Sequence, residues 1–241
     1  MNKFTRPLLE LDFKHWNGLN PYFSQEATNI PSIKRILTNI QKLGFLPGFK
    51  PKTAMDIVDE INLCLSKFTD KGVDYELLAS IFDLIQVWGG QTGRGPYVIT
   101  KSRYKFNEWR ENYLYGALMA LNNNPVGALK EWMKISGVGM SFAPKHLRFW
   151  SKKYPVLDTR ISLLMCGSRR LLGKPDCYSE FLGLIEPLAD NYSCPILEAE
   201  KALFAFSQNY FVNDRLEFKS YNFQTTVNCD IAKKLIVLNP G

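Results

Sequence analysis

A single carboxylate closes the most basic stretch of the chain. SGVGMSFAPKHLRFWSKKYPVLDTR, residues 136–160, carries Lys145, Arg148, Lys152, Lys153 and Arg160, and Asp158 is its one acid. A solubilising surface mixes the signs of its charges. A site that grips a polyanion and needs one carboxylate for chemistry has this pattern instead. Across residues 130–174, ten basic residues face only Glu131 and Asp158, a net of +8 in 45 residues. The other 196 residues therefore sum to −1 within the chain's +7. Charge focused in this way points to nucleic acid or another polyphosphate as the partner. A solvated basic face with no ligand is the alternative.

Other chemistries find little support. The five cysteines, Cys64, Cys166, Cys177, Cys194 and Cys229, are scattered and form no C-x-x-C pair, and the histidines are His15 and His146. Zinc and iron–sulfur sites are not expected, no cofactor is implied, and reduced cytosolic thiols are the default. No apolar run approaches the ~20 residues of a membrane span. The opening MNKFTRPLLELDFKHW lacks the apolar core of a signal peptide, so a cytoplasmic, nucleoid-associated protein is expected.

The elements that must position these residues read as helices almost throughout. PSIKRILTNIQKLGFL opens on a proline and places Ile33, Ile36, Leu37, Ile40 and Leu43 at helical spacing. KTAMDIVDEINLCLSKF repeats the pattern, and DYELLASIFDLIQVW follows with Asp74 as its cap and Gly89-Gly90 as its stop. FNEWRENYLYGALMAL, PVGALKEWMKI with Pro125 in its first turn, MSFAPKHLRFWSKK and DTRISLLMCGSRRLL continue the series. DCYSEFLGLIEPLADNY, PILEAEKALFAFSQNYF and, more weakly, CDIAKKLIVL complete it. About ten helices with short connectors make an all-α protein. The exception is WGGQTGRGPYVITKSRYKF, residues 88–106, where four glycines alternate with basic and aromatic residues. A loop of this kind is either functional or a mobile piece of surface.

LKEWMKISGVGMSFAPKHLRF reads as helix, hairpin, helix. Leu129, Trp132 and Ile135 form the apolar stripe before the turn, Gly137-Val138-Gly139 make the turn with Val138 inward, and small Ala143 lets the second helix lie close. Backbone N–H groups at the start of that second helix form a phosphate-sized anion site, which holds a DNA backbone without reading its sequence. A structural helix turn is the alternative.

ISGVGMSFAPKHL followed by YPVLDTRIS resembles the helix-hairpin-helix (HhH-GPD) DNA glycosylase superfamily, in which a Gly-rich hairpin precedes a Pro-hydrophobic-hydrophobic-Asp motif, here Pro155-Val156-Leu157-Asp158. The specific match covers the hairpin and this motif. WGG and PVLDTRI are closest in flavour to the bacterial 8-oxoguanine glycosylase-like branch. The resemblance implies a two-lobed helical fold with a central cleft. A barrel lobe of about residues 71–157 would contain the hairpin at 129–150, and a second lobe would combine about 1–70 with 158–241. The four-cysteine motif of some relatives is missing, and the chain is too short for the added β domain of the larger ones.

The resemblance also implies the roles. Asp158, doubling as a helix cap, stabilises the oxocarbenium-like sugar or activates water as a base is flipped out of double-stranded DNA and its N-glycosidic bond is cut. Gly137, Val138, Gly139, Ser141, Arg148, Arg160 and Arg94 hold the DNA. Phe142, Trp88 and Gln91 are the candidates for the base pocket, with Trp16 a further aromatic; core packing is the alternative for each aromatic, and contact with the orphaned base or the backbone for Gln91 and Arg94. Ser141 stands where bifunctional relatives carry a lysine, so hydrolysis without strand cutting is expected. Lys145, one turn on, is either a phosphate contact or an amine able to reach the sugar, and His146 is expected at the surface. Rival readings are a glycosylase/lyase using Lys145, excision of hypermodified bases from phage DNA in antiviral defence, and a non-catalytic DNA-binding module. A monomer is expected.

Overall fold

The computed structural model describes residues 3–23, 38, 48–89, 106–210 and 231. These residues are all-α, with no strand among them. The helices expected over 31–46 and 229–238 lie outside the described residues, save Thr38 and Ile231, and so does the glycine loop from 90 to 105. No helix among the described residues is long and apolar enough to cross a membrane.

The chain divides into two compact units, residues 21–152 and residues 1–20 with 153–241. The first contains α3 (Ala54–Lys71), α4 (Tyr75–Trp88), α5 (Phe106–Leu121), α6 (Pro125–Trp132) and α7 (Ala143–Ser151), preceded by a 3-10 turn at Pro21–Phe23. Three of these starts are written in local chemistry. Thr53 and Asp56 exchange side-chain bonds to each other's amides in a capping box at α3. Asp74 accepts from the amides of Glu76 and Leu77 at α4, as its position predicts. Asn124 caps α6, with Pro125 in the first turn.

Aromatic residues fill this unit. Trp132 and Tyr113 are fully buried, and Trp109, Phe82 and Trp150 pack beside them. Phe68 of α3 meets Trp150 edge-on at 5.2 Å, which explains a departure from the expected boundary near residue 70. α3 packs mainly against α4, and also against the 3-10 turn at Pro21–Phe23 and the hairpin helix α7, all within residues 21–152. Large rings of this kind bury more apolar surface than any other side chain, so such contacts decide where a helix belongs.

The second unit is built from α1 (Thr5–Leu8), α2 (Phe13–Gly18), α8 (Thr159–Cys166), α9 (Cys177–Asn191) and α10 (Ile196–Tyr210), with a 3-10 turn at Arg170–Leu172. Trp16 of α2 is fully buried and sits edge-on against Phe206 of α10. Phe13 stacks on Tyr192, whose hydroxyl donates to the Leu8 carbonyl. These contacts tie the amino-terminal helices to residues about 180 positions away in sequence.

Candidate functional site

The hairpin begins where α6 unwinds through tight turns. The amide of Ile135 donates to Trp132, and that of Val138 donates to Ile135, both at 3.0 Å. Gly137 takes φ +91°, a left-handed conformation that side chains resist. Val138 is buried, as predicted, while Gly137 and Gly139 on either side are exposed. The Gly139 carbonyl then accepts from the amides of Phe142 and Ala143, and α7 starts. Among the described residues no acceptor takes the amides of Gly139, Met140 or Ser141. A Cβ on Gly139 would meet nothing within 4 Å. Consecutive amides without acceptors ahead of a helix N-terminus are groups of the kind that receive an anion.

Several side chains assigned to the ligand are placed elsewhere. Arg148 is only 6 % exposed, with its guanidinium 4.5 Å over the Phe23 ring, so the expected surface phosphate contact is instead an internal cation–π pair. Trp88 is 4 % exposed and packs among Tyr22, Phe23 and Phe149, where its ring is core rather than pocket wall. Trp16 is core in the other unit. Gln91 and Arg94 lie outside the described residues. Phe142 is partly buried beneath Lys145, whose ammonium lies 4.2 Å from its ring.

Lys145 Nζ donates to the Gly89 carbonyl at 2.7 Å. Gly89 is the C-cap of α4, where the helix dipole leaves partial negative charge that a cation satisfies. A Cβ at Gly89 would come within 2.9 Å of both the Lys145 stem and the Phe142 ring, so only glycine allows this approach. Lys145 thus ties the hairpin helix to the root of the glycine loop.

His146 was expected at the surface and is fully buried. Trp150 Nε1–H can only donate, and it does so to the Tyr113 hydroxyl at 3.0 Å. The hydroxyl proton then serves His146 Nδ1, 2.9 Å away. The neutral ring accordingly carries its proton on Nε2, facing the Gln86 amide 3.2 Å away. Gln86 Oε1 is buried without a partner among the described residues, and a half-turn of the amide would bring it to that N–H. Burial, reinforced by the Lys145 charge, holds the His146 pKa down to about 3. Sequence offered no local sign of this network, since its partners lie 33 and 60 residues away.

The basic segment is also less available than its count suggests. Lys134 pairs with Glu131 at 2.6 Å, and Arg170 makes a two-pronged pair with Glu180. Lys130, Lys152, Lys153, Arg169 and Lys174 are exposed.

Asp158 stands at the start of α8 in the other unit. Pro155, Val156 and Leu157 before it are buried, and the carboxylate is partly exposed. Its Oδ1 accepts from the Ile161 amide at 3.0 Å, the predicted cap. No donor among the described residues reaches its Oδ2. Arg160 makes a long 3.5 Å contact to the Ser207 carbonyl. Tyr178 of α9, which sequence reasoning missed, donates its hydroxyl to the Pro155 carbonyl at 2.6 Å. Among the described residues no group of three His, Cys, Asp or Glu side chains is arranged to hold a metal ion.

No protein-family model, curated protein or solved structure matches the chain.

Proposed function

We propose that this chain is a DNA glycosylase that hydrolyses the N-glycosidic bond of a damaged or modified base in double-stranded DNA. The observation that carries the reading is the division of labour within the Asp158 carboxylate. Oδ1 is held by the Ile161 amide, while Oδ2 has no donor among the described residues and the position is partly exposed. A carboxylate fixed through one oxygen is pre-organised to act with the other. The hairpin amides at Gly139, Met140 and Ser141 and the motif resemblance at 155–158 add to this reading.

In the proposed reaction the bond from C1′ to the base breaks and its electrons leave with the base. The sugar gains oxocarbenium character, which the Asp158 carboxylate stabilises. Water adds its oxygen to C1′ and loses a proton to Asp158 or to the departing base. Water is favoured over a lysine nucleophile by the placement of Lys145, whose ammonium is bonded to a carbonyl and set over a ring.

Asp158→Asn tests the reading, because asparagine caps a helix as well as aspartate does and the fold should survive. The DNAs are duplexes carrying 8-oxoguanine or 7-methylguanine, and genomic DNA of phages with hypermodified bases. Abasic sites are read as alkali-labile breaks. The wild type should open at least one of these DNAs, and the variant should lose that rate by a factor on the order of 10²–10³ while binding persists. Wild-type-like activity in the variant would sink the assignment. Binding without breaks from either protein would favour a non-catalytic DNA-binding module. Cleavage of phage DNA alone would favour the defence role.

A further inference from the structure

The segment between Tyr154 and Asp158 belongs to neither a helix nor a strand, yet Pro155, Val156 and Leu157 are buried. A buried carbonyl outside regular structure must find a donor elsewhere. At Pro155 that donor is the Tyr178 hydroxyl, 2.6 Å away. Tyr178 lies in the first turn of α9 and is itself fully buried. Its ring packs edge-on against Tyr154 at 6.4 Å and against Phe181 at 5.6 Å, so the phenol is held on both flanks. The segment is therefore tied down three residues before the acid by α9, and at the acid by the Ile161 amide of α8.

We infer that Tyr178 is a positioning residue for Asp158, setting where the segment enters α8 and hence where Asp158 Oδ2 stands. The inference rests on the glycosylase reading. A displacement of about 1 Å in a reacting group costs on the order of a hundredfold in rate, whereas DNA affinity resides in other contacts. Loss of the phenol oxygen should therefore act on the chemical step and leave binding alone. A merely structural tyrosine would lower stability and nothing else.

Tyr178→Phe removes that one oxygen and keeps the ring. The experiment measures single-turnover abasic-site formation, per folded molecule, on whichever of the DNAs above the wild type opens, alongside Kd for the same DNA. Ile185→Val, a buried change on the same helix, serves as the control for a loss of stability alone. The expected result is a ten- to hundredfold slower rate for Tyr178→Phe, Kd within about twofold, and a wild-type rate for Ile185→Val. A wild-type rate in Tyr178→Phe, or an equal loss in Ile185→Val, overturns the inference. If Asp158→Asn is inactive while Tyr178→Phe is normal, only this inference falls. If Asp158→Asn is active, or the wild type opens none of the DNAs, the underlying reading falls as well.

Discussion

The two units use their polar groups in opposite ways. In residues 21–152 several of the polar side chains nearest the hairpin turn inward. His146, Tyr113, Trp150 and Gln86 satisfy one another, Arg148 covers Phe23, and Lys145 covers the end of α4. What the hairpin leaves without an acceptor among the described residues is backbone, the amides from Gly139 to Ser141. In the unit containing 153–241 the arrangement is reversed: the backbone of 155–157 is buried and tied, and the outward group is a side chain, Asp158. A backbone contact grips any phosphate regardless of sequence, whereas a single oriented carboxylate can act on a bond. The same division separates changes that should damage the fold from those that should damage only the chemistry.

The largest effect on the fold is expected from Tyr113→Phe. The hydroxyl accepts from Trp150 and serves His146, so its removal leaves two buried groups without their partner. At ~1–3 kcal/mol for each unsatisfied group, a loss of about 3 kcal/mol is expected in urea unfolding. A loss below about 1 kcal/mol would mean that the network is incidental. The excision rate per folded molecule should be unchanged, in contrast to Tyr178→Phe.

The same network makes the fold acid-sensitive. His146 in the native state titrates at about 3, below its ordinary 6.5, because burial and the Lys145 charge both disfavour the imidazolium. Below pH 6.5 the unfolded chain binds a proton that the native chain refuses, so the unfolded state binds more protons and stability rises with pH. The His146 contribution is therefore flat above pH 6.5 and is lost as pH falls toward 3, at ~1.4 kcal/mol per pH unit. Between pH 6.5 and 5 this amounts to about 2 kcal/mol. His146→Asn should be less stable at pH 7 but lack this slope, and equal slopes in the two proteins would contradict the buried neutral ring.

Much of the architecture was legible because it is local. Asp74, Pro125 and Asp158 announce helix starts through short-range bonds, and Val138 follows from the hairpin pattern. What was not legible depends on partners distant in sequence. Positively charged Arg148 and Lys145 looked like a polyanion surface, yet Phe23 and Gly89, 125 and 56 residues earlier, take them inward. His146 looked exposed because it faces elsewhere on the helix than Lys145 and Arg148, and Tyr113 and Gln86 make its burial tolerable. Trp88 opens WGG and was a candidate pocket aromatic, but the rings of Tyr22 and Phe149 claim it. Tyr178 carried no motif at all; only the position of the Pro155 carbonyl gives its hydroxyl meaning.

The smallest effect on the fold, and the sharpest separation of grip from scaffold, should come from the paired glycines of the hairpin. Gly137 is required by its backbone: at φ +91°, alanine is strained by about 1–2 kcal/mol, and Gly137→Ala should lose that much stability. Gly139 has neither a positive φ nor any atom within 4 Å of a prospective Cβ, so Gly139→Ala should unfold within about 0.5 kcal/mol of the wild type. By covalent geometry a methyl group there lies beside the Gly139 and Met140 amides, at an exposed position of the turn. If a DNA phosphate sits on those amides, Gly139→Ala should weaken duplex binding several-fold in a fluorescence anisotropy titration, with the fold untouched. Unchanged affinity would instead make the hairpin a structural turn and move the DNA grip to the exposed lysines and arginines. A glycine that is needed only when the ligand is present is the clearest sign that a turn was built for contact rather than for folding.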